Sequence, residues 1–108
     1  MGMTSIGLTD GTATDLIPAV SGERPKLLSL WAQNYEAAGA AANFLIIMDG
    51  TTERARFPLI ASGAPLVLGD SQTAWLIPLS KFTSGNALKV KLSATGTVWL
   101  IAEFAYGK

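Results

Sequence analysis

The side chains that most often carry out catalysis are missing from this sequence. It contains no histidine and no cysteine, which removes the usual zinc sites, the thiol nucleophiles and the commonest general base. Eight carboxylates remain, and a glycosidase needs two of them facing each other across a cleft. Glu23, Asp49 and Asp70 stand at predicted turns, where acidic side chains stabilise the backbone. The sequence therefore predicts no catalytic residues, no metal site and no cofactor.

Glu103 differs from the other carboxylates because it lies within an apolar segment. It can pair with a lysine or arginine across a subunit contact, or face solvent at the edge of a sheet, and both interpretations stay open. The spacing of the aspartates matches no calcium-binding loop. The two glycine-rich motifs that bind phosphate groups, the Walker sequence and G-x-G-x-x-G, are both absent from the sequence.

Three tryptophans are the remaining candidates for a binding function. Trp31, Trp75 and Trp99 can form a platform on which sugar rings stack, but each lies within a predicted strand and not at a loop tip. Packing in a core or an interface is the favoured interpretation. Trp31 and Trp99 lie opposite the predicted inward faces of their strands, which makes them candidates for a subunit contact.

Short strands separated by turns must position these side chains. Turn signals recur at short intervals, and Asp49-Gly50 is a strong hairpin signal. This spacing favours an all-β sandwich or barrel. Within residues 26–34, one face is predicted to carry Leu28, Leu30 and Ala32, and the other Leu27, Ser29, Trp31 and Gln33. The predicted strands are residues 12–20, 26–34, 43–48, 53–60, 65–68, 73–79, 87–92 and 97–106.

Two of these strands, residues 43–48 and 97–106, are apolar on both faces. An antiparallel strand with one solvated face carries polar residues there, so a strand that is apolar on both faces must be buried twice. A neighbouring copy can supply the second burial; the alternative is that both strands are central and covered by loops of the same subunit. The predicted oligomer interface comprises Trp31, Leu45, Ile47, Trp99 and Ile101.

The first eleven residues are predicted to form an N-terminal arm before a single domain over residues 12–108. Met3, Ile6 and Leu8 are apolar among small and polar neighbours. Such an arm either stays loose or adds as a strand to the sheet edge of a neighbouring protein.

The charge pattern excludes several function classes. Eight basic and eight acidic residues cancel to a net charge of zero, which argues against binding nucleic acid and against a polybasic membrane anchor. We expect a soluble chain without a secretory signal, because no charged start leads into an apolar run and no run is long enough to span a membrane. Charged residues make up only 15%, against about 25% in typical domains, so we expect a partner to cover part of the surface.

Four segments together resemble the capsid decoration or cement proteins of tailed bacteriophages. Ser21-Gly22-Glu23-Arg24-Pro25-Lys26-Leu27-Leu28-Ser29-Leu30 is similar to the family's entry into its first long strand, and residues 44–50 to its apolar strand that ends in a glycine turn. Ser84-Gly85-Asn86-Ala87-Leu88 resembles a glycine-led step into another strand. Residues 98–106 resemble the closing strand that ends near a tyrosine.

The resemblance implies a single antiparallel β-sandwich, jelly-roll-like, with seven or eight strands. It further implies a homotrimer on the outer capsid surface of the virion, where it would stabilise contacts between major capsid subunits without catalysis. Met3, Ile6 and Leu8 would then be the capsid-contacting residues of the arm. The alternative is a carbohydrate- or receptor-binding β-sandwich module of a phage fibre or tail.

Overall fold

Strands account for all the regular secondary structure in the part of the chain that the structure describes. The structure is a computed structural model and describes residues 2–36, 43–59, 65–68 and 82–107. The predicted strand over residues 73–79 lies outside these ranges. No helix of the described residues is long and apolar enough to cross a membrane. The strands are β1 (Gly2–Leu8), β2 (Thr14–Ile17), β3 (Arg24–Asn34), β4 (Asn43–Asp49), β5 (Thr52–Leu59), β6 (Leu66–Leu68), β7 (Leu88–Leu92) and β8 (Val98–Gly107).

The described strands form two four-stranded antiparallel sheets that pack face to face. Sheet I has the order β1-β8-β3-β6, and sheet II has the order β2-β7-β4-β5. The first strand pairs with the last, the second with the seventh, the third with the sixth and the fourth with the fifth. A long two-stranded ribbon wrapped into two sheets has this pairing, which is the jelly-roll topology. The predicted jelly-roll-like β-sandwich is confirmed.

The core lies between the two sheets and follows the alternation of the strands. In β7, Leu88, Val90 and Leu92 are buried, while Lys89 and Lys91 are half-buried on the other side. Successive side chains of a strand point to opposite faces, so this pattern directs one face inward. The core comprises Leu8, Leu16, Ile17, Leu27, Leu30, Ala32, Leu45, Ile47, Leu59, Phe82, Leu88, Val90, Leu92, Val98, Leu100 and Ala102.

A β-bulge in β3 changes the predicted faces of that strand. Leu27 pairs with Phe104 and Ser29 with Glu103, so Leu28 is an extra residue between them. An extra residue shifts the alternation by one position. Leu27 therefore lies in the core on the same side as Leu30, and its predicted place beside Ser29 was wrong.

Residues 2–8, predicted as part of an arm, form the edge strand of sheet I. β1 pairs with β8 along its whole length, from Gly2 with Phe104 to Leu8 with Val98. Leu8 belongs to the core, and Ile6 packs against it. The assignment of Ile6 and Leu8 to capsid contacts is therefore corrected, because both side chains are directed into their own subunit. Met3 is exposed, and its contact with a capsid stays a prediction.

The predicted turn at Asp49-Gly50 joins β4 to β5. Gly50 has a φ of 60°, a left-handed conformation that glycine adopts without steric cost. The Asp49 carboxylate accepts hydrogen bonds from the Thr83 backbone N–H (3.1 Å), the Thr83 hydroxyl (2.7 Å) and Asn86 Nδ2 (3.2 Å). Burial raises the pKa of Asp49, but the bonds from Thr83 and Asn86 and the nearby Arg54 outweigh it and hold the pKa below its ordinary value. Asp49 thus fixes the segment that leads into β7.

Asn43 fixes the opposite end of β4 to the turn before β8. Its side-chain oxygen accepts hydrogen bonds from the Ser93 hydroxyl and the Ala94 N–H, and its Nδ2 donates to the Ala94 carbonyl. A Cβ on Gly96 would lie 2.7 Å from Asn43 Nδ2, so the close approach of this turn requires glycine. Buried polar groups are stable where they are hydrogen-bonded in this way.

Candidate interaction face

The outer surface of sheet I carries a row of large apolar side chains. Val67 pairs with Trp31, Trp31 pairs with Ile101, and Ile101 pairs with Ser5, so one row crosses all four strands. Trp99 and Met3 occupy the rows on either side. We call the surface formed by Met3, Trp31, Val67, Trp99 and Ile101 the apolar face.

These side chains are accessible in the isolated subunit. The exposed fraction is 70% for Met3, 64% for Val67, 43% for Trp99 and 37% for Ile101, and Trp31 is half-buried. Exposed single apolar residues are common, but a contiguous patch on a small domain marks a site of interaction. The concentration of these residues on one sheet makes this surface the candidate functional site.

Gly7 allows the Trp99 ring to lie across the edge of the sheet. Gly7 pairs with Trp99, and a Cβ on Gly7 would lie 3.2 Å from Cε3 of the indole ring. A glycine opposite an aromatic residue leaves its backbone free to be covered by the ring. The indole therefore packs on β1 while keeping part of its surface accessible.

A cleft opens beside Trp99 at the end of sheet I. Its volume is about 410 Å³, and Trp99 and Tyr35 are its two aromatic residues. Tyr35 is 60% exposed, and its backbone N–H donates to the Thr97 carbonyl at 2.8 Å. The lining consists of Gly7, Leu8, Thr9, Tyr35, Thr97, Val98 and Trp99.

Glu103 lies at the border of the apolar face. It pairs with Met3 on one side and with Ser29 on the other, and its carboxylate accepts a hydrogen bond of 3.0 Å from the Ser29 hydroxyl. Within the part of the chain that the structure describes, no group of three acidic side chains is placed to hold a metal ion. Asp70 and Trp75, weighed above as candidates, lie outside that part.

The outer surface of sheet II has the opposite chemistry. Lys89 Nζ donates to the Asp15 carboxylate at 2.7 Å, and Arg56 forms an ion pair of 2.9 Å with Glu53. The hydrogen bonds from Arg56 lower the pKa of Glu53, as expected for a carboxylate beside a guanidinium. We call the surface formed by Asp15, Glu53, Arg56, Lys89 and Lys91 the charged face. The two outer surfaces of the sandwich are therefore chemically unlike.

Comparison with protein-family models and with curated proteins identifies no relative. No protein-family model matches the sequence, and no curated protein is similar to it. The two faces and the cleft are therefore the features of the molecule that bear on its function.

Three of the five predicted interface residues lie on the apolar face. Trp31, Trp99 and Ile101 point outward from sheet I, and their contact with another subunit stays a prediction. Leu45 and Ile47 are fully buried in the core of their own subunit. Their assignment to a subunit contact is corrected, because the inner face of β4 packs against sheet I.

The other face of β4 is also covered within the subunit. Ile46 lies between Arg56 and Lys91, and Met48 lies between Glu53 and Lys89. Long charged side chains cover apolar surface with their aliphatic stems while their charges stay in water. Both apolar faces of β4 are thus accounted for without a partner.

Val67 and Tyr35 were not predicted as parts of an interface or a binding site, and Met3 was predicted only as a capsid-contacting residue of the arm. Met3 was assigned to an arm, although its place in β1 puts it on the apolar face. Val67 belongs to a strand of three residues, too short for an alternation that would indicate its outward face. Tyr35 follows β3 directly, and extending the alternation beyond Asn34 would have placed it on the outer side.

Replacing each of two isoleucines by valine tests the corrected assignment of Ile47 to the core and of Ile101 to the apolar face. We expect Ile47→Val to lower the free energy of unfolding by about 1 kcal/mol, because removing a buried methyl group leaves a cavity. Ile101→Val removes the same group from an exposed position and should change it by less than about 0.5 kcal/mol. Urea unfolding of both variants measures the difference. Equal losses would place the two side chains in equivalent surroundings and contradict the assignment.

Proposed function

We propose that the chain is a structural virion protein, a capsid decoration or cement protein, whose copies associate through the apolar face on the outer capsid surface. There they would stabilise contacts between major capsid subunits. The observation that carries the proposal is the contiguous row of Val67, Trp31 and Ile101 across sheet I. The free energy of the system falls when another protein surface removes such a surface from water.

The size of sheet I fits an interface between two copies. Four strands about 4.8 Å apart and about eight residues long give a face on the order of 500 Å². Burying this area on each of two copies approaches the roughly 1,000 Å² that a specific interface requires. The net charge of zero adds no long-range repulsion between copies.

The different chemistry of the two faces supports attachment in one orientation. The charged face has ion pairs at its surface, and such exposed pairs keep most of their hydration. Burying the charged face would remove water from these charges, which costs free energy. Burying the apolar face is favourable. An attached copy would therefore turn sheet I toward its protein neighbours and sheet II toward the solution.

The jelly-roll fold is compatible with this function but does not by itself indicate it. Viral capsid proteins and lectins share the architecture, and one fold serves many functions. The proposal therefore depends on the apolar face and on the resemblance of residues 21–30, 44–50, 84–88 and 98–106 to decoration proteins.

Binding to capsids tests the proposal. The probe is the empty capsid of the phage whose genome encodes this chain, prepared without it. We expect the purified protein to sediment with these capsids up to a saturating ratio and to raise the temperature at which they open, because many modest contacts act together. Absence of capsid binding at tens of micromolar would refute it.

The cleft favours a second candidate function, a carbohydrate- or receptor-binding module of a phage fibre or tail. Trp99 and Tyr35 offer two exposed aromatic residues, and Thr9 and Thr97 belong to the same lining. Sugar rings stack on such surfaces with their apolar sides. A saturable change in tryptophan fluorescence on adding oligosaccharides, lost in Tyr35→Ala, would support this function. A silent titration would exclude it for the sugars used.

A further inference from the structure

β1 is an edge strand without the usual protection against pairing. It is the outermost strand of sheet I, and β8 is its one partner strand among the described residues. Its seven residues, GMTSIGL, contain no charged side chain and no proline. Natural edge strands carry lysines, prolines or bulges, or are very short, because an open edge pairs readily with another strand.

The other sheet edges in the described part of the chain have this protection. β5 contains a proline and three charged residues, Glu53, Arg54 and Arg56. β2 has four residues and an irregular register after Asp15. β6 has three residues and follows Pro65. The contrast identifies the edge of β1 as a surface whose backbone groups can pair with another strand.

We propose that β1 pairs antiparallel with β1 of a second copy of this chain. The inference rests on the proposed function, since it specifies how two copies meet at the rim of the apolar face. A contact of this kind is isologous, with the same strand contributed by both copies around a two-fold axis. It differs from the three-fold arrangement that the resemblance implies.

Pairing along the full strand keeps every side chain on its own face. Complete overlap of Gly2–Leu8 with itself places Ser5 opposite Ser5 at the two-fold axis, Met3 opposite Gly7 and Thr4 opposite Ile6. Met3, Ser5 and Gly7 are exposed, whereas Ile6 and Leu8 are directed inward. A shift by one residue would exchange the faces, but the full overlap pairs outward residues with outward ones.

This register also places the exposed Met3 side chain opposite Gly7, which has no side chain. Met3, the most exposed large apolar residue in the described part of the chain, would lie beside Gly7 of the second copy and close to its Trp99. Methionine is flexible and packs well against aromatic rings. Each copy thus offers both a protruding side chain and a receiving site, so the contact is self-complementary and occurs twice.

This pairing would extend the apolar face across the two-fold axis. Two four-stranded sheets become one eight-stranded sheet, with the row Val67, Trp31 and Ile101 present once in each half. Through the doubled surface, a pair of copies would bind a second pair more firmly than single copies bind each other, because the two attachments are linked.

A single cysteine at the axis tests the inference directly, since the natural sequence has none. Ser5→Cys would place two thiols on directly opposed residues, whose Cβ atoms lie about 5 Å apart. We expect rapid formation of a covalent dimer under mild oxidation, or with a short bismaleimide reagent. Thr14→Cys, exposed on the edge strand β2, is the matched control and should remain monomeric on a denaturing gel. Equal cross-linking of both variants, or none of Ser5→Cys with either reagent, would overturn the inference.

A charge at the same position separates this contact from the apolar face. Ser5→Lys would place like charges opposite each other at the axis, which disfavours pairing. Thr14→Lys is its control. We expect Ser5→Lys to weaken dimerisation at least tenfold in sedimentation experiments. If Ser5→Cys does not cross-link while the protein binds capsids, the edge contact is refuted and the proposed function stands. If Ser5→Cys cross-links but the protein binds no capsid, the proposed function is refuted and the edge contact stands.

Discussion

An Ile101→Lys variant is expected to lose association through the apolar face while keeping its fold. Ile101 lies between Trp31 and Ser5 in the central row and is exposed in the subunit, so the isolated domain tolerates a lysine there. In an assembled state, the ammonium group would be buried without a partner. Such a charge costs about 2 kcal/mol or more, which weakens binding by about 30-fold. Sedimentation velocity at tens of micromolar measures the loss.

The charged face provides a control that changes the net charge by the same amount. Glu53→Gln removes one negative charge and so also raises the net charge of the neutral chain by one, but it does so on sheet II. Its ion pair with Arg56 is exposed, so the fold and the association should both persist. If Ile101→Lys and Glu53→Gln reduce association equally, net charge and not the apolar face controls assembly, and the proposed contact is wrong.

Asp49→Ala is expected to lower the free energy of unfolding by about 2–3 kcal/mol, because the part-buried donors of Thr83 and Asn86 lose their charged acceptor. The carboxylate accepts three hydrogen bonds, and Arg54 lies 3.6 Å away. The segment before β7 would then lose its attachment to the β4–β5 turn. Urea unfolding measures the change. Asp15→Ala, which removes an exposed partner of Lys89, should cost less than about 1 kcal/mol.

The same carboxylate gives a pH dependence of known sign. Its pKa is lower in the folded protein than in the unfolded chain, so its contribution to stability is complete above the unfolded pKa, about 3.9. The contribution is lost as the pH falls through the folded pKa. Stability measured between about pH 5 and pH 2 should therefore decline less in Asp49→Asn than in the natural protein. An equal decline in both would show that Asp49 does not carry this dependence.

The elements that depend on local patterns could be predicted from the sequence. The alternation of leucine, valine and lysine in Leu88–Leu92 determines both the strand and its inward face, and the Asp49-Gly50 turn was predicted as a hairpin. These features depend on neighbouring residues, whose spacing is visible in the sequence. The bulge at Leu28 was not visible, because no residue type in β3 marks it and the pairing with β8 creates it.

The pairing of β1 depends on residues almost a hundred positions away. Nothing in Gly2–Leu8 indicates that Val98–Phe104 would cover it, and an isolated apolar segment at a terminus is equally typical of a free arm. The error for Leu45 and Ile47 has a related cause. β4 is apolar on both faces, and the side chains that cover its outer face, Arg56 and Lys91, come from two other strands.

The candidate site was predicted in part. Trp31, Trp99 and Ile101 were selected because they lie opposite the inward residues of long strands, and that argument needs only the two-residue period. Val67 and Met3 join them through cross-strand pairing, which a single sequence does not reveal. Trp75 and Asp70 belong to residues that the structure does not describe, so their predicted roles stay predictions.

Radical footprinting of the assembled protein tests the central claim, that the apolar face is covered by other protein, most directly. Oxidation is compared between the protein bound to capsids and the protein diluted until it dissociates. We predict that oxidation of Trp31 and Trp99 falls on assembly, while that of Phe44, on the outer side of sheet II beside Arg56, stays the same. Unchanged oxidation of both tryptophans in the bound state would contradict the claim.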